Sequence, residues 1–194
     1  RRRLIEDPLR FSQVREYAPG DNPRHIHWRA SARTGSLQTK VFEPSDTLAL
    51  MLAVDVQTVT DTYAIVPEYL ELAATAAASI AREALEQHLM VGLCANSIGD
   101  AGEYWQLLKP GRHPSQARIL LERLAALEGF RGRRFADMLQ DVRRSLPLGA
   151  TIAAISATPG PEALEALLAM HESGHPVTLL TIGESPPEVP ASLP

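Results

Sequence analysis

Leu48-Ala49-Leu50-Met51-Leu52-Ala53-Val54-Asp55 is an unbroken apolar run closed by a carboxylate. Pro44 stands ahead of it and the Thr-rich stretch Val56–Val66 follows. A short apolar run bounded by turn signals reads as a strand covered on both faces, as in parallel sheets. Asp55 then lies at the strand's carboxyl end, the edge at which open α/β sheets build their sites.

The chain beyond this run alternates in kind. Pro67 opens a helix to about Leu89, because Pro suits the first helical turn and Glu68 complements the dipole there. Its stripe of Tyr69, Ala73, Ala76, Ile80 and Ala84 lets a helix approach a sheet closely. Met90–Ala95 is a second strand. Asn96–Gly102 links it to a third, Glu103–Leu108, and so short a link implies antiparallel neighbours. Helices follow from Ser115 to about Glu128 and from Phe135 to Leu146, separated by the basic loop Gly129–Arg134. Thr151–Ala157 is a strand. The helix after Pro161 ends at Gly174, and Val177–Ile182 is the last strand. This order predicts an α/β fold: a doubly wound, mostly parallel, Rossmann-like sheet with one antiparallel strand. Residues 45–183 form that body and residues 184–194 a loose proline-rich tail. Residues 1–44 form an N-terminal extension expected to pack on the sheet.

Composition agrees. At 194 residues and 21.1 kDa, with 45% hydrophobic and 22% charged residues, the chain suits a globular body with a sizeable core. The single cysteine, Cys94, lies in an apolar run and reads as a core thiol, so no internal disulfide is expected. No apolar run approaches the roughly 20 residues of a membrane span, and no secretory leader is apparent. Residues 1–44 hold 9 Lys/Arg against 5 Asp/Glu, and residues 45–194 hold 10 against 18. A basic segment ahead of an acidic body is expected to pair within the chain before it steers an outside partner.

The extension carries the most specific string, REYAPGDNPRHIHWRASARTGSLQTKVFEP, from Arg15 to Pro44. Pro19-Gly20-Asp21 and Asn22-Pro23 are adjoining turn signals. Arg15, Glu16, Asp21, Arg24, Arg29 and Arg33, with Tyr17 and Trp28 among them, suggest a network of ion pairs in which arginine forks hold carboxylates. Arg33–Ser36 reads as a second turn and Leu37–Phe42 as a short strand. The string Arg15–Asp21 followed by Arg24–Arg33 closely resembles the signature of the bacterial domain-of-unknown-function family 58.

That resemblance implies a von Willebrand factor A-like domain preceded by this motif, and a protein partner, a MoxR-type AAA+ ATPase. The implied role is a non-enzymatic adaptor in the assembly or maturation of other proteins. Arg15, Tyr17, Asp21, Arg24, Trp28, Arg29, Ser31 and Arg33 are then the motif residues that brace the sheet or present a partner surface. Family members often carry membrane helices upstream. Such helices would make this the cytoplasmic part of a membrane-anchored parent and Arg1-Arg2-Arg3 its juxtamembrane flank, although an arbitrary cut explains the three arginines equally well.

Domains of that type hold Mg²⁺ at a metal-ion-dependent adhesion site reading Asp-x-Ser-x-Ser after the first strand, with a Thr and an Asp from later loops. The chemistry needs hard oxygen ligands and one open position. Here the stretch is Asp55-Val56-Gln57-Thr58-Val59. Asp55 and Gln57 are a degenerate remnant, and no metal or other cofactor is expected. Arg131, Arg133 or Arg134 would stand in for the ion by pairing with Asp55; otherwise the loop is simply a solvated basic one. The alternative function is a ligand-binding domain that keeps weak Mg²⁺ affinity through Asp55.

A third reading, a metal hydrolase using His25, His27 and Asp21, lacks a downstream cluster to complete its site. Ser31 has no Gly-x-Ser-x-Gly elbow, and no Walker motif or GxGxxG is present. Arg24, Arg29, Arg33 and Lys40 with Tyr17 and Trp28 resemble a nucleic-acid surface. A net charge of −4, with Glu16 and Asp21 inside the patch, argues against one.

Overall fold

The computed structural model describes residues 6–18, 26–44, 48–59, 64–99 and 102–183. In chain order the elements are β1 (Glu6–Glu16), α1 (Trp28–Thr34), β2 (Gln38–Pro44), β3 (Ala49–Val54), α2 (Pro67–Glu86) and β4 (Met90–Ala95). They continue as β5 (Gln106–Gly111), α3 (Gln116–Ala125), α4 (Phe135–Ser145), β6 (Thr151–Ser156), α5 (Pro161–Glu172) and β7 (Val177–Thr181). The chain divides into two compact units, Arg1–Asp46 and Thr47–Pro194.

In the first unit β1 and β2 form an antiparallel ribbon, irregular between Glu6 and Gln13. The stretch Leu4–Phe11 shows no sequence period, yet most of it lies in β1. Irregular register and a charged, Pro-containing sequence explain why alternation is absent. The second difference is α1, which occupies part of the motif read as turns. Trp28-Arg29-Ala30-Ser31-Ala32-Arg33-Thr34 offers no apolar stripe, and none of its residues is buried. Caps hold it instead. His27 Nδ1 accepts the Ala30 N–H at 3.1 Å, and Gly35 closes the helix at φ 71°, a left-handed conformation that glycine adopts without penalty. Ser31 Oγ donates to the His27 carbonyl at 3.1 Å and accepts the Gln38 N–H at 2.9 Å, fastening α1 to the start of β2.

The second unit is a five-stranded sheet in the order β5-β4-β3-β6-β7. All neighbours are parallel except β5, which runs antiparallel to β4. Every residue of β3 is buried, as its uninterrupted apolar run requires of a central strand. Alternate side chains of β3 serve opposite faces. Leu50, Leu52 and Val54 pack with α2 and α3, where α2 contributes Ala73, Ala77, Ala81 and Ala84. Met51 and Ala53 pack with α4 and α5 through Met138, Leu139, Leu167 and Met170. Burying a Leu or Met side chain in this way is worth roughly 2 kcal/mol.

Several boundaries move by a few residues. β5 starts at Gln106 rather than Glu103, because residues 102–105 bend, with Gly99 N–H donating to the Glu103 carbonyl at 2.8 Å. β5 is an edge strand and tolerates Pro110, which lacks a ladder donor. α2 stops at Glu86, three residues early, where His88 adopts φ 61° and turns the chain into β4. Cys94 is fully buried, and burial pushes its thiol pKa up, away from thiolate chemistry. Among the described residues, no helix is long and apolar enough to cross a membrane. The tail 184–194 lies outside the described residues.

Candidate functional site

Three parallel strands end in polar residues at the same edge of the sheet: Asp55 just after β3, Asn96 just after β4, and Ser156 at the end of β6. Strand register brings them together. β3 pairs with β4 through Val54–Ala95 and with β6 through Val54–Ile155. The Asp55 N–H extends the second ladder by donating to the Ile155 carbonyl at 2.8 Å.

The Asp55 carboxylate joins the three ends. Its Oδ1 accepts from the Asn96 side-chain amide at 2.8 Å and from the Gln57 N–H at 3.1 Å. Its Oδ2 accepts the Ser156 hydroxyl at 2.8 Å. Asn96 in turn accepts the Val56 N–H on its Oδ1 at 2.8 Å, so one amide spans β4 and the turn after β3. Asp55 is only 4% exposed, and Asn96 and Ser156 are wholly buried. Burial raises the Asp55 pKa above its ordinary value. The hydrogen bonds from Asn96, Gln57 and Ser156, and the charge of Arg131, pull it back without cancelling that rise. Desolvation therefore wins over three donors that favour the charged form.

Above the carboxylate lie Gln57 and the loop between α3 and α4. Gln57 Oε1 accepts from Arg131 Nη1 at 2.5 Å, and its Nε2 donates to the Val59 carbonyl at 3.0 Å. The loop is fixed to the sheet edge by backbone pairing of Ser97 with Arg131 and by Gly132 N–H donating to the Asn96 carbonyl at 2.8 Å. Ser97 Oγ donates to the Glu128 carbonyl and accepts the Glu128 N–H, both at 3.2 Å. Gly132 is demanded by close approach: a Cβ there would stand 2.3 Å from the Tyr104 carbonyl oxygen.

Of the three arginines expected to replace an ion, Arg131 is at the site, and it is held by Gln57 instead of pairing with Asp55. The other two turn away. Arg133 pairs with Asp141 at 2.7 Å, and Arg134 pairs with Glu162. The donor set does not suit Mg²⁺. Among the described residues Asp55 is its only carboxylate, both oxygens already accept hydrogen bonds, the hydrogen-bonding neighbours are neutral, and a guanidinium adds positive charge. Among the described residues, no group of three or more His, Cys, Asp or Glu side chains gathers elsewhere.

The motif residues lie in the first unit. Trp28, Arg29 and Arg33 are exposed on α1, Ser31 fastens that helix to β2, and Arg15 Nη1 donates to the Glu16 carbonyl at 3.0 Å. Tyr17 lies just past β1, its N–H donating to the Leu37 carbonyl at 2.8 Å. His27 caps α1, its side chain accepting from the Ala30 N–H. Asp21, Arg24 and His25 lie outside the described residues.

Sequence reasoning singled out Asp55 and Gln57 and missed Asn96, Ser156 and Thr158. Thr158 closes the cluster by donating its hydroxyl to the Gln57 carbonyl at 3.3 Å. Their shared signal is position: each is a polar residue at the carboxyl end of an apolar strand.

Residues 13–130 match the family model described as "Protein of unknown function DUF58". No curated relative matches the sequence. Among solved structures, the chain is similar to the pilus adhesin SpaC from Lactobacillus rhamnosus GG in its open conformation. The identity is 14% and the TM-score 0.47, over 68% of this chain and 23% of the adhesin chain.

Proposed function

The chain belongs to the DUF58 family, and on that footing we propose that it is a non-enzymatic protein-interaction domain with a von Willebrand factor A-like, doubly wound sheet. It works as an adaptor beside a MoxR-type AAA+ ATPase in the assembly or maturation of other proteins, on the cytoplasmic side of a membrane-anchored parent. The layout is in keeping with this: helices on both faces, and a single antiparallel strand, β5, at the edge.

The observation that carries the reading is the closure of Asp55. A carboxylate that binds an ion or moves a proton needs a free oxygen facing substrate. Both oxygens of Asp55 are held by the fold, so this edge is left to act by shape and charge at its surface.

Immobilising the chain and passing the parent's own MoxR-type ATPase over it tests the proposal. Retention that survives mild washing is expected; passage of the ATPase at the rate of a blank surface would contradict it. Arg29→Ala separates two roles for the motif. Lower thermal stability marks bracing, whereas an unchanged fold with lost retention marks recognition.

A further inference from the structure

We infer that Arg131, with the exposed apolar side chains around it, forms a docking site for a partner protein segment in which one acidic side chain stands between apolar ones. This deepens the adaptor reading and rests on it.

Three arginines share the loop between α3 and α4, and they differ in what they hold. Arg133 and Arg134 each have a carboxylate partner. Arg131 is exposed, and its hydrogen-bond partner is a neutral amide oxygen on Gln57. The carboxylate beneath it, Asp55, is already engaged by Asn96, Ser156 and the Gln57 N–H. Arg131 thus presents a guanidinium that no exposed acid among the described residues offsets by direct pairing. One nitrogen is tethered to Gln57, and the residue is exposed. A planar fork of this kind takes a carboxylate in two parallel hydrogen bonds.

The guanidinium is also held in advance of binding. The Ser97–Arg131 bridge, the Gly132–Asn96 hydrogen bond and the two Ser97–Glu128 contacts fix its backbone, and Gln57 fixes its tip. A side chain ordered beforehand loses less entropy on association.

The surroundings select the kind of partner. Phe130 is 62% exposed, Tyr104 73%, Ile98 42% and Ile65 41%. Phe130 adjoins Arg131 in sequence, the Gly132 backbone approaches the Ile98 side chain and the Tyr104 carbonyl, and the Gly129 backbone approaches the Ile65 side chain. Singly exposed apolar residues are ordinary, but aromatic and aliphatic side chains grouped around an arginine have the composition of an interface centre. A nucleic acid would bring many phosphates to a body that holds 10 Lys/Arg against 18 Asp/Glu over residues 45–194. A single carboxylate flanked by apolar groups meets the one cation and the apolar rim without that repulsion.

The test is an array of end-blocked hexapeptides, each with one aspartate among leucine and phenylalanine residues and each paired with its asparagine twin, probed with the full chain. Aspartate members are expected to bind at least about tenfold tighter than their twins. Arg131→Gln should abolish that ratio with an unchanged unfolding midpoint, and Arg131→Lys should keep part of it. Phe130→Ser should weaken both twins alike. Equal binding of the twins, no binding by any member, a ratio that survives Arg131→Gln, or displacement of the peptides by a single-stranded oligonucleotide would each overturn the docking site. Equal ATPase retention by wild type and Arg131→Gln would also overturn it while leaving the adaptor reading intact. Peptide discrimination without any ATPase retention would preserve the site and remove the adaptor.

Discussion

Asp55 and Arg131 carry opposite charges at one edge of one sheet, and the fold treats them in opposite ways. Asp55 is buried, and its oxygens are spent on joining three strand ends. Arg131 is exposed, and its side-chain hydrogen-bond partner among the described residues is neutral. The contrast teaches that a charged residue at the carboxyl edge of an α/β sheet is not by itself a site. What matters is whether its hydrogen-bonding capacity is used up internally or left facing solvent.

Removing the buried partner breaks this comparison most severely. Asp55→Ala strands the Asn96 amide, the Ser156 hydroxyl and the Gln57 N–H without their acceptor. Unsatisfied buried donors cost about 1–3 kcal/mol each, so a loss of about 3 kcal/mol or more in unfolding free energy is expected in a urea titration. Gly132→Ala comes next. Its Cβ would collide with the Tyr104 carbonyl, and both are backbone positions with little room to give. The expected loss is about 1–3 kcal/mol, accompanied by weaker peptide binding because Arg131 shifts with the loop.

Acidification perturbs Asp55 without changing any atom but a proton. Its folded pKa is raised by burial, so the folded state binds this proton more tightly than the unfolded chain does. Stability contributed by this group therefore falls as pH rises through the interval between the unfolded and folded values, and recovers as pH is lowered. Against Asp55→Asn, which does not titrate there, wild type should gain relative stability on acidification from about pH 8 to about pH 4. A widening deficit instead would mean that the hydrogen bonds outweigh burial.

Arg131→Gln should be the mildest change to the fold, within about 0.5 kcal/mol by thermal melting, because exposed polar contacts contribute little. Its effect belongs to binding.

Much of the sheet was legible because central parallel strands cannot hide their composition. Leu48–Val54, Met90–Ala95 and Thr151–Ala157 are apolar in sequence and match β3, β4 and β6 within a residue at each end. β1 and α1 were not legible for the converse reason. α1 buries none of its residues, so neither a stripe nor a moment betrays it, and its holding contacts come from His27, Ser31 and Gly35. At the site, Asp55 announced itself as the first charge after an apolar run. Asn96 and Ser156 became visible only once register placed three strand ends side by side, because that adjacency is long-range and leaves no local pattern. The choice of Arg131 over Arg133 and Arg134 likewise depends on Asp141 and Glu162 lying within reach of the latter two.

Whether this edge works through the guanidinium or through an ion is decided by one titration: an aspartate-bearing hexapeptide from the array into wild-type chain, first in EDTA and then in excess Mg²⁺. Equal affinity in the two buffers is expected if Arg131 receives the carboxylate. Binding that appears only with Mg²⁺ and vanishes in chelator would contradict a closed Asp55 and return the site to a metal.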